Sequence, residues 1–196
     1  EGLYSKIKMD FDGYEGWINN SVLKKQNSKV SKNLITQSFG VYEVPEGKNL
    51  LSIGSEVEFS TENLTGKARL RESLVETAKK FLNVPYLWGG RSFFGIDCSG
   101  FVQLVYKVHG ISLPRDADKQ AEIGFSRDFV EESEPGDLAF FEDENGFITH
   151  VGLVLSPFEI IHASGKVRID SLDFSGIYNA EKNKHTHKLR MVKNFL

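Results

Sequence analysis

Cysteine is nearly absent: there is one in 196 residues. This excludes an internal disulfide framework and leaves the redox compartment open. No apolar run approaches the ~18 residues of a membrane-spanning helix. Net charge is scarce too. The 24 Lys+Arg against 27 Asp+Glu give −3, which argues against nucleic-acid binding through a broadly basic surface. There is no internal repeat, no low-complexity segment, and no C-x-x-C or H-x-x-x-H pair to seed a zinc site. An initiator methionine is missing as well; a chain starting at Glu1 fits a processed form or a fragment whose signal peptide would already be gone. What is present is an ordinary globular composition, 40% hydrophobic and 26% charged, with 15 Phe, 6 Tyr and 2 Trp to build a core. The length suits one large domain, or a small one followed by a medium one.

Residues 3–59 read as short strands broken by turns. Leu3–Met9 and Tyr14–Ile18 flank the cluster Asp10-Phe11-Asp12-Gly13 and predict a hairpin. Further strands fit Leu34–Tyr42 and Leu50–Phe59, separated by Pro45-Glu46-Gly47. Residues 60–66 are polar and turn-rich, as a linker would be. From Lys67 the period becomes helical, with Leu70, Leu74, Ala78 and Phe81 on one face, up to Leu82-Asn83 before Val84-Pro85. A second helix fits Cys98–His109, apolar nearly all round, with Asp97 at the N-cap and Gly110 just past its end. A short helix fits Asp116–Ile123. Strands follow at Leu138–Glu142, Thr149–Leu155, Glu159–Ala163, Val167–Asp170 and His187–Val192. Helices first and strands afterwards predict an α+β domain with an antiparallel sheet.

Cys98 sits at the predicted first turn of the buried helix. Unpaired N–H groups and the positive dipole end there would stabilise a thiolate or receive an oxyanion. On position alone, a small buried hydrophobe is the competing reading. A nucleophile needs a base. His150 shares its strand face with Gly152 and Val154, and His162 lies in the next strand. If the two strands pair, the second imidazole can orient the first. Asp97 beside Cys98 should raise the thiol pKa unless a substrate cation or the helix start offsets it. His109, at a helix C-terminus, reads as structural. His185 and His187 lie in a Lys-rich segment and read as a solvated strand edge rather than a shared metal site. The acidic run Glu131–Glu144, with seven carboxylates, reads as a solvated loop rather than a surface that steers polyanions.

Two resemblances extend this reading. "LYSKIKMDFDGYEGWI" resembles one hairpin of a bacterial SH3-like (SH3b) domain. The segments Val84-Pro85-Tyr86-Leu87-Trp88-Gly89-Gly90, Asp97-Cys98-Ser99-Gly100-Phe101-Val102, Leu113-Pro114-Arg115, Pro135-Gly136-Asp137-Leu138, Thr149-His150-Val151-Gly152 and Ile161-His162-Ala163 resemble, in order, the NlpC/P60 family of cell-wall peptidases. The resemblance implies a papain-like α+β catalytic domain over 73–196 and a linker over 61–72. An SH3b-like small β-barrel, incomplete at its N-terminus, would occupy 1–60. It implies a catalytic triad of Cys98, His150 and His162, hydrolysing the γ-D-glutamyl–diamino acid amide of peptidoglycan stem peptides or murein fragments. It further implies substrate binding by Tyr86, Trp88, Asp97 and Ser99, with Tyr14 of the hairpin selecting a free N-terminal L-Ala. No metal, organic cofactor, nucleic-acid partner or membrane span is implied, and an exported location is expected rather than a cytoplasmic one. The alternatives are a non-catalytic wall-binding module, and a papain-like amidase or acyltransferase acting on another amide.

Overall fold

A computed structural model describes residues 2–24, 33–44, 47–57 and 70–196. The N-terminal part carries three separate antiparallel strand pairs: β1 (Tyr4–Lys8) with β2 (Glu15–Asn19), β3 (Asn33–Leu34) with β6 (Glu56–Val57), and β4 (Phe39–Val44) with β5 (Gly47–Ser52). The two longer strands expected in this region each break in two. The expected turn at Pro45-Glu46 and the linker, save its last three residues, lie outside the described residues. The β1–β2 hairpin turns where its Asp and Gly predict. Gly13 takes φ +71°, Tyr14 N–H donates to Asp12 Oδ1, and Met9 N–H donates to Tyr14 O at 2.8 Å.

Helix α1 (Arg71–Lys79) starts later and stops earlier than its periodicity predicts. The N–H groups of Lys80, Phe81 and Leu82 all bond three residues back, and Asn83 at φ +68° ends the spiral. After the short pair β7 (Arg91–Ser92) and β8 (Gly95–Ile96) comes α2 (Cys98–Val108), as predicted. Asp97 is extended and its carboxylate accepts from Gly100 N–H at 2.7 Å. Gly110, at φ +76°, follows the last turn. His109 is buried there against the Thr77 hydroxyl at 2.9 Å, in line with the structural role expected of it.

Beyond α3 (Ala117–Ala121) and β9 (Phe125–Arg127) lie β10 (Leu138–Glu142), β11 (Ile148–Ser156), β12 (Glu159–Ser164), β13 (Lys166–Asp173), β14 (Gly176–Asn179) and β15 (Lys184–Asn194). Each pairs antiparallel with the next, β10 also pairs with β15, and β9 extends β15. The six strands β10–β15 therefore close on themselves, which removes a free edge. Alternation builds two cores. Leu138, Phe140, Val151, Leu153, Ile161 and Ala163 pack with α1 and α2, while Ala139, Phe141, Val154, Ile160, Leu172 and Ile177 form a second cluster on the opposite face. The acidic run is not a solvated loop throughout. Asp137 is fully buried and accepts from Arg71 (2.7 Å) and Arg127 (2.9 Å), which ties α1 to the sheet. Among the described residues no helix is long and apolar enough to cross a membrane.

Candidate active site

Cys98 opens α2 and is 8% exposed. Its sulfur lies close enough to β11 for the Val151 N–H, one residue after His150, to favour its thiolate form. His150 and His162 sit on neighbouring strands with Gly152 opposite His162. Their rings meet through His150 Nε2 and His162 Nδ1 at 2.8 Å. A register shift in the β10–β11 ladder, Phe141 facing His150 but Glu142 facing Ile148, leaves Thr149 as the extra residue just before the histidine. Such bulges re-aim side chains beside functional sites.

Gly152 is the small residue this close pairing requires. A Cβ there would lie 2.9 Å from His162 Cβ and 2.7 Å from Ile160 Cδ1. Gly152→Ala is expected to cost about 1–3 kcal/mol through overpacking, read as a lower urea midpoint with an unchanged m-value.

Two residues missing from the sequence-based set complete the cluster. Asp170 Oδ2 lies 3.0 Å from His162 Nε2 and is held by Arg168 Nε at 2.7 Å. Burial pushes the Asp170 carboxyl up, but the hydrogen bonds from His162 and Arg168 outweigh it and hold the group below its ordinary range. Alternation alone puts Arg168 and Asp170 on one face of β13; the register, with Arg168 opposite His162 and Asp170 opposite Ile160, is what makes that the histidine's face. His187, read from sequence as a solvated edge, instead stacks on His150 with ring centroids 4.2 Å apart and planes 26° from parallel. Its segment is the last strand of the closed sheet, which carries it back against β10 and β11. His185 does stay exposed, paired with Asp173 at 2.9 Å.

With His162 neutral, the hydrogen bonds assign the tautomers. An ionised Asp170 only accepts, so His162 Nε2 carries the proton between them. In a neutral His162 ring, Nδ1 is then bare and accepts from His150 Nε2–H. This leaves His150 Nδ1 as a free base. Burial, then the neighbouring His162 and His187, pushes His150 well below the ordinary histidine range. Burial, then His162 and Lys182, brings His187 to about 4, Asp170 opposing. The Cys98 thiol moves the other way: burial raises it, the Asp97 charge raises it further, and the N–H groups of Val151, Ser99 and Cys98 only partly offset this. Both shifts favour the thiol and the neutral imidazole over the thiolate–imidazolium pair.

Stability should register this burial. Unfolded histidines protonate near 6.5, whereas His150 and His187 in the fold do not until lower pH, so the unfolded chain binds more protons in between. Stability falls as pH drops from about 6.5 toward about 4, by up to about 1.4 kcal/mol per pH unit from His187, with His150 acting in the same direction. Urea unfolding across that window measures the slope, and His187→Phe should flatten it.

In front of the thiol is a cleft of ≈660 Å³. Tyr14, Tyr86, Trp88, Asp97, Cys98 and Ser99 all line it. Six of the eight predicted site residues thus line the cleft; His150 and His162 are buried and do not line it, although Ile148 and Thr149, just before His150, do. Trp88 is 86% exposed, so it walls the cleft and is no part of the core. Tyr14 arrives because Asp12 pins the hairpin: its Oδ2 accepts from Arg91 Nη1 at 2.6 Å and Gln103 Nε2 at 3.1 Å. Burial raises the Tyr86 phenol, and the charges of Cys98 and Asp97 add to it.

Asp97 is engaged beyond capping. Gly89 N–H, at φ +76°, donates to its Oδ2 at 2.8 Å. The buried Arg115 binds Oδ2 through Nη2 at 2.5 Å and Oδ1 through Nη1 at 3.1 Å, and donates to Ser99 Oγ at 2.8 Å. Its motif was legible in the sequence; its role as Asp97's counter-ion was not. Asp116 and Asp118 also line the cleft and are exposed.

A thiol at a helix start, with a carboxylate–imidazole–imidazole chain on the neighbouring sheet, is the group set of thiol-dependent acyl transfer. The family model described as NlpC/P60 matches residues 83–189, and the chain belongs to the NlpC/P60 family. It is 44% identical over 94 residues to a gamma-D-glutamyl-L-lysine dipeptidyl-peptidase of Bacillus subtilis, covering 47% of this chain and 31% of that protein. It is 38% identical over 104 residues to a probable endopeptidase p60 of Listeria welshimeri, covering 53% and 20%. The chain therefore aligns with no more than about a third of the length of these relatives. A crystal structure of an NlpC/P60 family protein from Bacillus cereus superposes with a TM-score of 0.80 at 22% identity, over 100% of this chain and 77% of that one. At that identity the likeness is one of fold.

Proposed function

We propose that the chain is a cysteine peptidase hydrolysing the γ-D-glutamyl–diamino acid amide of peptidoglycan stem peptides, with a free N-terminal L-Ala stem as its substrate class. The observation carrying this reading is the hydrogen-bonded run Asp170–His162–His150, which leaves a bare imidazole nitrogen on the residue beside the main chain that contacts Cys98. The dipeptidyl-peptidase name of the Bacillus subtilis relative supports the bond. Residues 1–60 act as an SH3b-like unit, 61–72 as the linker and 73–196 as the catalytic unit. The hairpin of the first lends Tyr14 to the cleft of the last.

In this mechanism His150 Nδ1 takes the Cys98 proton as the sulfur bonds to the γ-glutamyl carbonyl carbon. The oxyanion is received by N–H groups at the start of α2. His150 returns the proton to the departing amine, leaving a thioester that water, deprotonated by the same nitrogen, hydrolyses. His162 keeps the tautomer and Asp170 holds His162. Asp97 is already matched by Arg115, so it shapes the substrate's amino-end pocket together with Ser99 and Tyr14, and the exposed carboxylates of Asp116 and Asp118 favour an ammonium group at its rim. Tyr86 and Trp88 wall the stem peptide. A wall substrate fits an exported location at the cell envelope better than a cytoplasmic one.

Mass spectrometry of products from L-Ala-γ-D-Glu-meso-diaminopimelate, its L-Lys counterpart and their N-acetylated forms tests this reading. The expected products are L-Ala-D-Glu and the free diamino acid, with the acetylated peptides at least about 10-fold slower. Cleavage of another bond, or none, would reject the assignment. Equal rates on free and blocked peptides would remove the amino-end selection alone.

A further inference from the structure

We propose that His150, His162 and His187 together form a binding site for a divalent transition-metal cation of the zinc type, and that filling it switches the catalytic base off. The second part rests on the function proposed above; the binding itself does not.

One nitrogen from each of the three rings lies within 4.8 Å of the other two. Tetrahedral zinc with Zn–N bonds of about 2.0–2.1 Å needs its nitrogens about 3.3 Å apart. His150 Nε2 and His162 Nδ1, at 2.8 Å, need only part slightly, while His187, stacked on His150, must turn as well as shift toward them. Two of the rings are also held in a ligand-ready state. Asp170 occupies His162 Nε2 at 3.0 Å, which leaves Nδ1 for a metal and supplies the carboxylate–histidine support typical of zinc sites. Thr186 Oγ1 occupies His187 Nδ1 at 2.9 Å, which leaves Nε2. His162 stands roughly perpendicular to both His150, at 88°, and His187, at 82°, while His187 stacks on His150 and must turn out of that stack for its lone pair to meet the other two. His187 is only half-buried, which gives an ion a way in. Imidazole suits zinc, nickel or copper rather than magnesium or calcium.

The consequence for the base follows from proton accounting. The cation takes the lone pair of His150 Nε2 and displaces its proton. A neutral His150 must then carry its proton on Nδ1, the nitrogen that has to be bare to accept from Cys98. No proton is lost overall; it moves from one ring nitrogen to the other, and the base is capped. His187 takes part in no step of the proposed hydrolysis, so its presence against His150 is accounted for by this site.

The test uses the full chain with Cys98→Ala, so that no thiolate can bind the metal. Calorimetric titration with zinc chloride should show one equivalent bound, and adding His187→Phe should weaken it at least about 10-fold. Melting without zinc checks that the double variant folds, with His187→Gln in its place if it does not. Absent binding by Cys98→Ala, or equal binding after loss of the His187 imidazole, would overturn the site. In the wild type, zinc should inhibit hydrolysis reversibly to a chelator, with the half-inhibiting concentration raised at least about 10-fold by the His187 variant. Zinc held through His187 without inhibition would overturn the switch, and with it the assignment of His150 as base, while leaving the site standing.

Discussion

Cys98→Ala should fold normally and lose stem-peptide hydrolysis by about 10⁴-fold or more. The helix does not depend on the sulfur. Its cap is the Asp97 carboxylate on Gly100 N–H, and its packing comes from Phe101, Val102 and Val105. Alanine is the best helix former, so the stability change should stay within about 1 kcal/mol. Activity cannot survive in the same way. The imidazole would still be poised, but in the proposed route no other group forms the bond to the acyl carbon, and oxyanion donors act only on an adduct that can form. Product mass spectrometry on matched enzyme concentrations reads the result. Turnover within tenfold of the wild type would remove Cys98 from the chemistry and favour a reading in which the thiol is a small buried hydrophobe.

Much of this site could be read from residues close together in the chain. Asp97 before Cys98, Gly110 after Val108 and the apolar face between them specify α2 by local rules. The pairing of β11 with β12 follows from alternation and a short turn, and it carries His150 and His162 to each other. The residues that were not legible share a physical cause. His187 reaches His150 only because β15 closes the sheet against β10, a contact spanning 46 to 55 residues that no local pattern encodes. The strand before it, Gly176–Asn179, is four residues long and begins at a glycine with φ +133°, too short and irregular to read as a strand. Asp170 required knowing the register of β12 on β13, since one residue's slip would turn it to the other face. In the N-terminal part the sequence pointed to two strands where β3–β6 and β4–β5 interleave as four, because a break at Thr36–Ser38 looks like strand by composition alone.

Arg115→Met should destabilise the chain by about 3 kcal/mol, an effect out of proportion to one side chain. Arg115 and Asp97 are both about nine-tenths or more buried, and the guanidinium is the only side-chain cation within hydrogen-bonding distance of that carboxylate among the described residues. Methionine fills a similar volume but leaves an ionised group buried with only Gly89 and Gly100 N–H, and the Ser99 hydroxyl, to hold it. The same loss should reach the chemistry. The Asp97 charge already raises the Cys98 thiol; without Arg115 to offset that charge the thiol should rise further, and alkylation by iodoacetamide should shift to higher pH. Arg115→Lys should recover only part of the loss, because an ammonium cannot engage both carboxylate oxygens and Ser99 in one plane. Pairing Arg115→Met with Asp97→Asn separates the causes. If the cost is that of an uncompensated buried charge, the double variant should be more stable than the sum of the two single changes predicts, by at least about 1 kcal/mol. Strict additivity in urea unfolding would mean that Arg115 stabilises by packing alone, and that the thiol feels Asp97 as if no counter-ion were there.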